Sequence, residues 1–299
     1  MAIGPWGGIR LRPLDIGDVL DETFRVYRRQ FLPLVTTMAV VVAPAALVTL
    51  AVTLATGFSG PAITRAVQER GDPTALIVGG VVIFLLSVVT GIIHLAAVGA
   101  ATLIAAGAIL GQSIGVGEAY RRAFSHFGSL FSVGFAAGLP VALLICTCLG
   151  IPIAIFVGLG WSLVSPVILL EGRGPIEAMR RSWELVRGHR WRLLACWLLI
   201  GLIVYLLVSI PSGLFSFLGT ILLGLNGSSP GLAMLVQAGN VIFNAVGQVL
   251  FGAVVYITAA LLYYDLRIRK EAFDLEQRLP LPEPPPVAPR VSYPDPPLA

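Results

Sequence analysis

Four long runs without charge constrain this chain more than any other feature. No Asp, Glu, Lys or Arg occurs across 30–64, 73–117, 123–170 or 193–264. A bilayer core takes about 20 consecutive apolar residues per helix. The runs are 35 to 72 residues long, so together they hold about six spans. With 57% hydrophobic residues, 12% charged residues and a mean hydropathy of +0.89, the composition excludes an ordinary soluble domain. The expected fold is an all-α integral membrane protein with six transmembrane helices in three hairpins. The net charge of +4 is accounted for by membrane topology, so no nucleic-acid partner is expected.

The charges that remain recur as a motif. Gly117-Glu118-Ala119-Tyr120-Arg121-Arg122-Ala123-Phe124 is echoed by Glu177-Ala178-Met179-Arg180-Arg181-Ser182-Trp183. A more distant copy, Gly17-Asp18-Val19-Leu20-Asp21-Glu22-Thr23-Phe24, keeps the Gly, the acid and the aromatic but lacks the Arg pair. Each copy stands directly before an uncharged run. A charged, half-apolar helix at the doorstep of a hydrophobic segment reads as an interfacial helix feeding a membrane hairpin. The three helices are placed at about 15–29, 115–128 and 175–187.

In the first, Asp15 is the expected N-cap with Asp18 three residues on. Ile16, Leu20, Phe24 and Tyr27 form the expected apolar side, opposite Asp21, Arg25 and Arg28. Glu118 is expected to pair with Arg121 and Arg122, and Glu177 with Arg180 and Arg181. Phe24, Phe124 and Trp183 are expected to dip below the headgroups. Arg25, Arg28, Arg29, Arg121, Arg122, Arg180 and Arg181 then form a candidate collar for lipid or anion binding. Their partners would be membrane lipids with anionic headgroups.

Residues 31–56 form the first span, bent at Pro33 and Pro44. Residues 74–112 are read as one long second span with a protruding Ala/Gly-rich end, because an even number of spans must separate the first two motif copies. Gly150-Ile151-Pro152 divides 130–170 into two spans. Pro175 opens the third amphipathic helix at the first helical position. Pro211-Ser212-Gly213 is expected to break the fifth span, and 232–264 is the sixth.

Two patterns lie inside the spans. Gln237, Asn240, Asn244 and Gln248 fall within about 80° on a helix, and Thr258 continues the stripe. Amides in hydrocarbon are costly unless bonded, so the stripe should face the bundle interior, with His94 able to join it. Interhelical bonding and a polar path or small-solute site are both open readings. In the second span Gly91, Gly99, Gly107 and Gly111, with Ala96, Ala100 and Ala108, favour close helix packing. Cys146, Cys148 and Cys196 read as apolar fillers. No catalytic, cofactor-binding or metal residue is assigned, and no cofactor is expected.

Of the 20 Lys and Arg, only Arg65 and Arg70 fall in a loop placed outside, which puts both termini in the cytoplasm and the chain in the cell membrane. Met1 to Pro13 lacks the apolar core of a signal peptide. Residues 1–274 form the membrane domain. Residues 275–299 are a Pro-rich tail, read either as solvated chain or as a segment that binds a protein partner.

The stretches Arg12-Pro13-Leu14-Asp15-Ile16-Gly17-Asp18, Phe24-Arg25-Val26-Tyr27-Arg28-Arg29, Leu170-Glu171-Gly172-Arg173-Gly174-Pro175-Ile176-Glu177-Ala178, Arg180-Arg181-Ser182-Trp183 and Tyr263-Tyr264-Asp265-Leu266-Arg267 resemble a bacterial family. It is the membrane domain associated with glycerophosphoryl diester phosphodiesterases, and the likeness runs over roughly 10–275. The resemblance implies that catalysis would need a His-Arg-Gly element and an acidic metal-binding set. Here only His94, His126 and His189 occur, and His189-Arg190 is followed by Trp191. The resemblance therefore carries over a membrane architecture and no enzyme. A non-enzymatic scaffold, interaction or lipid-associated module is the first functional expectation. A small-solute or lipid permease using the polar stripe is the alternative.

Overall fold

A computed structural model describes residues 14–56, 73–147, 150–225 and 230–271, and the account below concerns these residues. The charged loop with Arg65 and Arg70, Cys148 and the Pro-rich tail lie outside them. The regular elements among the described residues are helices: α1 Ile16–Arg29, α2 Phe31–Thr56, α3 Pro73–Ile109, α4 Val116–Ser125, α5 Phe127–Cys146, α6 Ile151–Trp161, α7 Val164–Glu171, α8 Pro175–Val186, α9 Arg190–Leu225 and α10 Pro230–Glu271. Six stretches are long and apolar enough to cross a membrane: Phe31–Leu54, Phe84–Ile109, Phe127–Ile145, Ile151–Glu171, Arg190–Leu225 and Gly231–Glu271. The protein is an all-α membrane protein, and α1, α4 and α8 are the short amphipathic helices that precede each pair of spans.

Local chemistry explains several boundaries. Asp15 caps α1 in a capping box, its own N–H bonding Asp18 at 3.2 Å. Gly174 and Pro175 open α8 as cap and first helical residue. The 37-residue α3 is one continuous helix, as the even-span rule required. Two expectations are corrected. Pro211 lies inside the unbroken 36-residue α9, where Ser212 Oγ donates to the carbonyls of Val208 (3.0 Å) and Ser209 (3.2 Å). The fourth span is instead divided between α6 and α7, where Ser182 from α8 donates to the Gly160 carbonyl (2.7 Å) and accepts the Leu163 N–H (3.3 Å).

The core sits at one end of the bundle. There the last turns of α3, α7 and α10 and the first turns of α2 and α9 are covered by α1, α4 and α8. Val19, Ala119 and Ala178 stand at one motif position, and Thr23, Ala123 and Ser182 four residues on; all six are at most 1% exposed. The repeat thus buries the same two registers in every copy, one helical turn apart. Ala123 faces Gly99, Thr23 faces Thr258 (3.4 Å between hydroxyls) and Ser182 faces Gly160. The buried side of α1 is therefore Val19, Glu22, Thr23, Val26 and Tyr27, whereas Ile16, Leu20 and Phe24 are only half-buried at its edge. The Ala-rich end of α3 is covered by protein: Ala97, Ala100, Ala101, Ile104 and Ala105 are sealed in this core.

Trp183 is likewise packed. Its ring lies on Gly160, edge-on to Phe156, with the Arg190 guanidinium 4.3 Å away. Phe124 alone of the three motif aromatics is mostly exposed. A Cβ at position 160 would meet the Trp183 ring at 2.2 Å, whereas one at 134 meets nothing within 4 Å. Gly160→Ala should therefore cost about 1–3 kcal/mol by overpacking, and Gly134→Ala should be neutral or slightly stabilising. Thermal unfolding of the purified protein checks the contrast.

Candidate functional site

Two places collect polar side chains, one inside the spans and one at the packed end. The first is a cavity of about 520 Å³ between α2, α3 and α10. Gln237, Asn240, Asn244, Gln248 and His94 all line it, so the sequence-predicted stripe and the histidine converge. Thr49, Ser87 and Thr90 line it too. The two hydroxyls of α3 are legible in the sequence: residues 87, 90 and 94 step by three and four, which puts them within about 60° on α3.

The cavity begins where the cover of amphipathic helices ends. Met38, Ala97, Val254 and Ile257, all fully buried, close it on the packed side. Thr258, expected to extend the stripe, lies beneath this floor and bonds Thr23 and the Val254 carbonyl instead. His94 Nε2 is 2.7 Å from the Tyr256 hydroxyl, and Ser216 of α9 donates to Asn240 Oδ1 at 2.6 Å. Asn244 Nδ2 donates to the Asn240 carbonyl at 2.9 Å. Among the described residues the amides of Gln237 and Gln248 have no protein partner. Asn244 and Gln248 are exposed, so the cavity is reached from outside the protein at the depth of the spans. Of the small residues in α3, Gly91 borders the cavity, while Gly99 and Gly107 receive Ala123 and Ile114.

At the packed end the expected arginine collar divides in two. Arg25, Arg28, Arg29, Arg121, Arg122 and Arg180 are exposed. Arg25 pairs with Glu22 at 2.7 Å, Arg122 with Glu118, and Arg180 with Glu184 at 3.1 Å rather than with Glu177. Arg181 is structural: it bridges Glu171 (3.3 Å) and Glu271, across 90 residues of chain. Burial alone would lower its pKa, but those two carboxylates raise it above the usual guanidinium value. Arg122 also borders a second cavity of about 280 Å³ with Gln112, Ser125, His126 and Tyr264. Tyr120 donates to the Thr37 carbonyl at 2.7 Å, and burial pushes its pKa up to about 12, so it stays a neutral strut.

Asp265, its side chain fully buried, organises this end. It accepts the Leu14 N–H at 2.8 Å and is flanked by Arg192 and by Arg269 at 3.2 Å; both arginines also donate to the Leu14 carbonyl. Removing one member of such a set strands the others. Asp265→Ala should cost about 3–5 kcal/mol, and Arg180→Ala, on an exposed pair, less than about 1 kcal/mol, as read from thermal unfolding.

The comparisons with known proteins agree with part of this picture. No curated protein and no solved structure matches the chain. The matched family covers Glu177-Ala178-Met179-Arg180-Arg181-Ser182-Trp183 and Tyr263-Tyr264-Asp265-Leu266-Arg267, but leaves residues 12–29 outside. Across residues 138–277, just under half its length, the chain resembles the family described as the membrane domain of glycerophosphoryl diester phosphodiesterase.

Proposed function

We propose that the protein is a non-enzymatic, lipid-associated membrane module that holds a ligand in the uncharged cavity between α2, α3 and α10. The observation that carries this reading is the convergence of Gln237, Asn240, Asn244, Gln248 and His94, from two helices, on one space. Carboxamides at this depth are expensive unless they meet a partner, and two of them meet none in the protein. Supporting the non-enzymatic reading, the matched family is a membrane domain and not the phosphodiesterase itself. Within the cavity, Thr90 donates to the Leu86 carbonyl at 2.7 Å and His94 is engaged by Tyr256, so neither is set as nucleophile and base.

The arginine-bearing end faces the cytoplasm of the cell membrane in this reading, following the bias of Lys and Arg toward that side. There Arg25, Arg28, Arg29, Arg121, Arg122 and Arg180 meet anionic headgroups, each contributing about 1 kcal/mol. Arg181 is excluded because its charge is spent on Glu171 and Glu271. The same cavity favours one second reading, a permease for a small solute or lipid. Such a permease must open the floor at Met38, Ala97, Val254 and Ile257 in another conformation.

Purification with native lipids, followed by mass spectrometry, tests the site. A ligand should co-elute in a fixed ratio with the parent protein and be lost from Asn240→Leu/Asn244→Leu/Gln248→Leu, while the variant keeps its helix content. Equal retention by the folded variant, or no co-eluting ligand, would contradict the proposal.

A further inference from the structure

We infer that the ligand of this cavity is an uncharged lipid with hydroxyl and ester groups at its polar end, of the mono- or diacylglycerol type. The inference rests on the cavity being a binding site, as proposed above, and adds the chemical class of its occupant.

Charge decides first. The lining contains no Asp, Glu, Lys or Arg among the described residues. A phosphate brought into such a space would lose its water without gaining a counter-charge, and isolated buried charges are the costliest of all groups to desolvate. Among the described residues, the arginines that could neutralise a phosphate lie at the packed end, beyond the sealed floor. Hydrogen bonding decides next. The Gln237 and Gln248 carboxamides each offer two N–H donors and a carbonyl acceptor, while Thr49 and Thr90, which donate to the Ala45 and Leu86 carbonyls, keep hydroxyl oxygens that can accept. Free glycerol hydroxyls, which both donate and accept, and ester carbonyls, which accept, complement that set. The unpartnered amides of Gln237 and Gln248 stand at the two ends of the stripe, three helical turns apart, and need partners at both.

Shape and access agree. About 520 Å³ is within the range of pockets that bury a drug-sized polar group, and the rest of the wall, Val41, Val42, Ala45, Ala46, Val241 and Ala245, is apolar. Exposed Leu47, Val48, Val88 and Phe243 continue that apolar surface on the same three helices, where acyl chains would lie. A lipid without a headgroup charge is not held at the plane of the phosphates. It can therefore sink its glyceryl end to the depth of Asn244 and Gln248.

The test uses the full-length protein in phosphatidylcholine nanodiscs containing a diacylglycerol with a photoactivatable group near the ester. Crosslinks should map to 41–49, 87–94 and 237–248 and be suppressed by excess unlabelled diacylglycerol, but not by equal phosphatidylglycerol or by free glycerol. Gln237→Leu/Gln248→Leu removes amides that bond nothing in the protein, so it should keep the unfolding temperature while cutting labelling about tenfold. Competition by phosphatidylglycerol or glycerol as strong as by diacylglycerol would overturn the inferred class and leave the cavity as a site. Absence of any crosslink in the three lining segments would overturn both readings. Undiminished labelling of the folded double variant would overturn the role of the amides.

Discussion

Two helices longer than the membrane is thick set the terms for everything else. At about 1.5 Å per residue, the 37 residues of α3 and 42 of α10 reach about 55 and 63 Å, against a hydrocarbon core near 30 Å. Their far portions are still uncharged and largely apolar, from Ala96 to Ile109 and from Ala253 to Tyr264. Apolar overhang without lipid around it must be covered by protein. The three amphipathic helices are that cover, and the densest core of the molecule lies where they wrap these overhangs.

A repeated motif solves this problem three times with different side chains. The buried registers require something small and nearly flush, because the helices approach closely. Val and Thr, Ala and Ala, and Ala and Ser satisfy that demand in turn. The hydroxyls are then put to use: Thr23 meets Thr258, and Ser182 ties off the break between α6 and α7. Charge follows the same division. Residues pointing away remain exposed arginines, while Arg192 and Arg269 turn inward to the buried Asp265 and hold Leu14, just before α1, against the last turns of α10, and Arg181 ties α8 to Glu171 and Glu271.

Spans, motif helices and their order could be read from the sequence because burial in lipid writes a strong, local signal. The continuity of α3 followed from topology alone. What escaped was set by tertiary partners. The buried side of α1 is rotated because α10 approaches from the side of Val19, Thr23 and Val26, which hydrophobicity by itself did not single out. Arg180 chose Glu184, four residues on along α8, over Glu177, and Arg181 chose Glu171 and Glu271, carboxylates that α7 and α10 bring and that spacing along one helix cannot foresee. The break at 162–163 depends on a serine 19 residues away. For the candidate site, the amide stripe and His94 were legible by periodicity, whereas their shared cavity with Thr49 of α2 required three helices to be placed together.

Cover and cavity are two consequences of one arrangement: where the amphipathic helices stop, α2, α3 and α10 leave space lined by their own polar residues. Everything depends on all three motif copies lying at the same end. Single cysteines at the exposed positions 17, 117 and 177, in a background without Cys146, Cys148 and Cys196, can be probed with an impermeant maleimide in oriented vesicles. All three should label from one side, and a cysteine replacing Leu225, the last residue of α9, from the other. Labelling of any one motif position from the side that reaches 225 would contradict the packed end and the cavity above it.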